Sequence, residues 1–105
     1  MKTIFVYGIL QKHHSALDFG MTDDMYRGEA TISSFKRESL VHISKTEIPN
    51  SKVHGELWEV PDDIEEHIYQ FEAQFGYERV SLIVEDANGE YVNAILYLVD
   101  WKDET

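Results

Sequence analysis

Among the twenty acidic residues of the chain, Glu72 sits where a carboxylate is least comfortable. In "IYQFEAQFGYERV" it lies one helical step, about 100°, from Phe71, at the edge of an apolar stripe. It also falls in the last helical turn, where the negative end of the helix dipole opposes a negative charge. Burial and the dipole both favour the neutral form, which raises the pKa. A carboxyl titrating near neutrality suits general acid and base work. Most glutamates near a helix end are solvated, so this role needs a binding surface close by. Glu65, Tyr69 and Glu72 share one helical side, either a pocket wall or an ordinary boundary face.

The start of the chain offers such a surface. "MKTIFVYGILQKHH" carries an apolar run, Ile4 to Tyr7, that stops at Gly8 and resumes with Ile9 and Leu10. Either this is a plain tight turn, or the backbone after Tyr7 is itself exposed to a ligand. Other chemistries find little support. There is no cysteine, which removes disulfides, thiolate catalysis and Cys-based zinc sites. His13 and His14 adjoin and point apart on most backbones, and His42, His54 and His67 share no ligand spacing. No metal and no organic cofactor is expected. The serines lack a nucleophile-elbow pattern, and Gly8 stands alone, without a phosphate-binding glycine loop.

The elements that must position these groups read as follows. "TIFVY" is a β-branched and aromatic strand. Residues 11–24 suggest an irregular or briefly helical excursion, and "MYRGEATISSFKRESLVHIS" one or two strands. "TEIPNSK" is a loop with turn chemistry at Pro49, Asn50 and Ser51. "VHGELWEV" is a strand without clean amphipathicity. A helix follows, with Pro61 placed for its first turn and Asp62 and Asp63 at its positive end. Ile64, Ile68, Phe71 and Phe75 form its buried stripe, and Gly76 suits the C′ position. Two last strands flank Asn88-Gly89, a hairpin signal in which both residues tolerate positive φ. The order predicts an α+β fold, a mostly antiparallel or mixed sheet or a small barrel.

The chain has 105 residues, 43% of them apolar, which predicts one domain over 1–105 with a core of its own. A net charge of −11 repels phosphate backbones and anionic membranes, so neither nucleic acid nor a membrane is an expected partner. A small substrate or a basic protein is easier to accommodate. The apolar stretch behind Lys2 is too short for a signal peptide, and the expected location is the cytoplasm.

Taken together, "FVYGIL", "VHGELWEV", "IYQFEAQFGYERV" and "AILYLV" resemble, in order, the motifs of the γ-glutamylcyclotransferase-like (AIG2-like) family. Its members begin with a strand entering a Tyr-Gly-Thr/Ser-Leu turn. They continue with a Val-x-Gly-Glu-Leu-Tyr-x-Val strand, a helix ending in Asp-x-x-Glu-Gly or similar, and a Tyr-x-Arg strand. The resemblance spans essentially the whole chain. It implies a small barrel with a cavity beside the first strand's end. The implied activity is a cyclising acyl transfer, of lyase type, that converts γ-glutamyl compounds to 5-oxoproline and a free amine. By the same resemblance Tyr7, Gly8, Ile9 and Leu10 form the substrate-binding turn and Glu72 is the catalytic glutamate. The glycine would then let main chain approach the ligand closely. Tyr77, Arg79 and Tyr97 match positions near the cavity, or serve packing alone.

Three residues depart from the pattern. Ile9 replaces Thr or Ser, Gln11 stands where a basic residue is common, and Ala73 replaces glycine. The leading expectation is an enzyme acting on a γ-glutamyl amine or γ-glutamyl amino acid. The alternatives are a module on the same scaffold that binds such a molecule without turnover, and an acidic interaction protein whose surface engages a basic partner.

Overall fold

The computed structural model describes residues 1–7, 19–39 and 42–99. Five strands close into a barrel in the order β1 (Lys2–Val6), β5 (Lys52–Val60), β2 (Tyr26–Ser33), β6 (Tyr77–Asp86) and β7 (Tyr91–Val99). Neighbours run antiparallel except at the seam, where β7 meets β1 in parallel with Ile4 opposite Ile95. Two further strands, β3 (Phe35–Ser39) and β4 (His42–Lys45), form a separate antiparallel pair. Among the described residues there is one α-helix, α1 (Asp62–Ala73), and the fold is α+β: a small mixed barrel with one main helix.

Alternation along β1 sets the layers. Phe5 and Tyr7 join a buried cluster with Leu57, Leu96 and Leu98, whereas Ile4 and Val6 pack with Trp58, Val60 and Ile68 of α1. The first set lines the barrel and the second fills the space between barrel and helix. This explains why "VHGELWEV" lacked clean amphipathicity. Val53, Gly55 and Leu57 face inward, while Trp58 and Val60 are buried on the opposite face, under the helix. Gly55 is a site of close approach: a Cβ there would lie 2.4 Å from the Val6 carbonyl and 2.7 Å from the Phe5 ring.

Several sequence expectations need correction. The segment expected to be one or two strands is three, β2, β3 and β4, because Ser34 turns the chain at φ 67°. Its N–H is held by the Ser51 carbonyl at 2.9 Å. Pro61 is the N-cap of α1, one position before the expected first turn. The helix stops at Ala73, so Phe75 falls outside it and is 60% exposed rather than part of the buried stripe. Gly76, at φ 85°, follows two residues after the Gln74 C-cap. The last hairpin also differs: of its turn residues only Gly89 has positive φ. The Gly89 N–H bonds the Asp86 carbonyl, and Asp86 Oδ1 accepts from the Asn88 and Glu90 N–H groups. A four-residue turn, Asp86–Gly89, whose last residue is a left-handed glycine is the longer alternative to the two-residue loop.

Candidate active site

Glu72 lies in the last turn of α1, and burial pushes its carboxyl from the ordinary 4.5 up to about 7. Three tyrosines, one directly after β1 and one each in β6 and β7, lie close enough for its charge to act on their hydroxyls. Tyr7, directly after β1, is raised first by its own burial, then by Tyr77 and Glu72, with Arg37 of β3 acting in the opposite direction. Tyr77, the first residue of β6, is raised by burial and then by Glu72. Tyr97 of β7 is raised by burial, by its bond to Glu65, and to a smaller degree by Glu72. All three phenols therefore stay neutral at physiological pH. The fold brings the acid from the end of the helix to the end of the first strand.

The hydrogen bonds of this region are fixed. The Tyr7 hydroxyl donates to the Tyr97 backbone carbonyl. The Tyr97 hydroxyl donates to Glu65 Oε2 at 2.5 Å. Arg79 of β6 donates through Nε to the same oxygen at 3.1 Å, and its Nη2 lies 3.1 Å from Glu65 Oε1. Lys2 Nζ is 3.6 Å from Oε1. The Arg79 guanidinium also covers the Tyr69 ring at 3.9 Å and reaches the exposed Glu66. Glu65 itself is wholly buried.

The residues expected at the site divide accordingly. Tyr7, Tyr77, Tyr97 and Glu72 come together. Arg79 is close by, but its charge is committed to Glu65 and Glu66. Gly8, Ile9 and Leu10, the rest of the expected binding turn, and Gln11 lie outside the described residues. Ala73 is exposed. His67 packs edge-on against Phe19, and among the described residues no three His, Asp or Glu side chains are placed to hold one metal ion. Sequence reasoning missed the burial of Glu65. The available signal was its place on the same helical side as Glu72, with a basic residue, Arg79, following in β6.

Chemically, the arrangement offers one carboxyl that is close to half ionised near pH 7, walled by neutral phenols. Such a group can accept a proton and return it. No helix among the described residues is long and apolar enough to cross a membrane.

Comparison with known proteins places the fold. A family model described as gamma-glutamyl cyclotransferase, AIG2-like, matches residues 4–105. A search of curated proteins found no match. Among solved structures, a protein from Pyrococcus horikoshii is 26% identical with a TM-score of 0.69, covering 99% of this chain and 82% of its own. An AIG2-like protein from Mus musculus shares the fold at 24% identity and TM-score 0.73, over 98% of this chain and 80% of that one. A structure named gamma-glutamyl cyclotransferase does so at 17% identity and TM-score 0.69, over 93% and 66%. With its barrel, its helix and nearly its whole length matched, the chain belongs to the gamma-glutamyl cyclotransferase, AIG2-like family.

Proposed function

We propose that this protein is a γ-glutamyl cyclotransferase, closing a small γ-glutamyl amine or γ-glutamyl amino acid on itself to give 5-oxoproline and the free amine. In this reading Tyr7, Gly8, Ile9 and Leu10 form the substrate-binding turn and Glu72 is the general acid and base. The observation that carries it is the Glu72 carboxyl, lifted by burial to about 7 near the tyrosine that directly follows β1. The family match and the neighbour bearing the cyclotransferase name support the same reading.

The proton traffic fits one such group. The substrate's α-nitrogen arrives as an ammonium and ends as a lactam N–H, so it loses two protons. The departing nitrogen begins as an amide N–H and leaves as an ammonium, so it gains two. Glu72 takes the first proton, which frees the amine to attack the γ-carbonyl carbon. As the tetrahedral adduct collapses, the bond to the departing nitrogen breaks and Glu72 passes protons from one nitrogen to the other. A pKa near the working pH lets one carboxyl do both jobs. Ring closure is intramolecular, so holding the substrate folded supplies much of the acceleration. In this reading the backbone N–H groups of the turn orient the substrate or support the oxyanion.

The test is incubation of the purified protein with a panel of γ-glutamyl dipeptides and γ-glutamylamines, with 5-oxoproline detected by mass spectrometry. Release is expected with at least one class, and Glu72→Gln should reduce it about 10²–10⁴-fold. Ligand binding without product, unchanged by that substitution, would refute the catalytic reading.

A further inference from the structure

We propose that Glu65 is a positioning residue for Glu72: through Lys2, Arg79 and Tyr97 it fixes how α1 sits on the barrel, and so holds the reactive carboxyl against the end of β1. The inference rests on the catalytic reading only for what Glu72 does, not for where it is held. A wholly buried carboxylate is among the costliest groups to hide and survives only with partners. Here the partners come from β1, β6 and β7, three strands that are consecutive around the barrel. One carboxylate therefore ties the helix to three adjacent staves.

Apolar packing does not do this work alone. Ile68 is buried beneath the helix, yet hydrophobic contact is non-directional and tolerates rotation or sliding. Apolar residues of similar volume often match or exceed a buried ion pair in stability, so the ionic arrangement is better explained by orientation than by strength. Glu72 lies seven residues beyond Glu65, nearly two full turns, on almost the same face. A rotation of α1 carries both. Tyr97 links the two halves, because its hydroxyl holds Glu65 while its carbonyl holds the Tyr7 hydroxyl. Among the described residues, the titratable groups whose electrostatics involve Glu72 are Tyr7, Tyr77 and Tyr97. The cations Lys2 and Arg79 stand at the Glu65 end, and Arg37 acts on Tyr7.

The experiment is a carboxyl-detected NMR titration of Glu72 in the wild type and in Glu65→Gln, Tyr97→Phe and Ile68→Val. The wild-type midpoint is expected near 7. With the helix released and water admitted, it should fall by about one unit in Glu65→Gln and Tyr97→Phe, toward the ordinary carboxyl value. Ile68→Val, which weakens the same helix contact without touching the carboxylate, should leave it in place. If Glu65→Gln does not fold, Tyr97→Phe decides, since it keeps the ring and both ion pairs. An unchanged midpoint in the folded variants, an equal fall in Ile68→Val, or a wild-type midpoint near 4.5 overturns the proposal. The expected shifts without any 5-oxoproline release would support Glu65 as the positioning residue and sink the catalytic reading instead.

Discussion

Glu72→Gln should make the protein more stable in neutral and alkaline solution. Burial lifts the Glu72 carboxyl from 4.5 to about 7 in the folded chain. Between those values the folded state holds a proton that the unfolded state has released, so stability falls as pH rises through the interval. At about 1.4 kcal/mol per unit, the full shift corresponds to roughly 3 kcal/mol. The side chain is only partly buried, and solvent screening brings the expected figure to about 2 kcal/mol. Near pH 8 the wild type carries the whole penalty, and near pH 4, about where the unfolded carboxyl also protonates, almost none. Glutamine has nearly the same shape and never ionises. The variant should therefore exceed the wild type by about 2 kcal/mol near pH 8, roughly 10 °C in Tm for a domain of this size, and match it near pH 4. Urea and thermal unfolding at several pH values measure this directly. A difference that stays flat with pH, or a variant weaker than the wild type near pH 8, would refute burial as the source of the lifted pKa.

The same carboxyl predicts the rate profile: kcat/KM for 5-oxoproline release should rise through about pH 7 as Glu72 ionises, read from initial rates across buffers. Gly55→Ala should cost about 1–3 kcal/mol in urea unfolding, because the new methyl would press on the Val6 carbonyl and the Phe5 ring. Ile68→Ala should cost about 2–5 kcal/mol, since its side chain fills the contact between helix and barrel.

What the sequence made legible was local. The helix announced itself through Pro61, the acids of its first turn and the spacing of Ile64, Ile68 and Phe71, and Glu72 stood out at the edge of that stripe. What it concealed depends on partners distant in the chain. Glu65 reads as one more acid on a pocket wall or boundary face until Arg79 and Tyr97, 14 and 32 residues away, close around it. Phe75 fits the stripe by spacing, but the helix has already ended. Ser34 carries no sign that it adopts positive φ, so a segment legible as one or two strands gave no indication of where β2 ends and β3 begins. Trp58 and Val60 seemed to spoil an alternating strand because a strand under a helix is buried on both sides.

The parallel seam between Ile4 and Ile95 has a consequence for synthesis. The first strand leaves the ribosome long before its seam partner exists, so the ring stays open until almost the whole described chain has been translated. Pairing across so long a stretch of sequence raises contact order and slows folding. A nascent chain arrested before β7 has no Tyr97 to receive the Tyr7 hydroxyl. Such a fragment holds Glu72 but lacks one of the three tyrosines that surround it in the closed barrel.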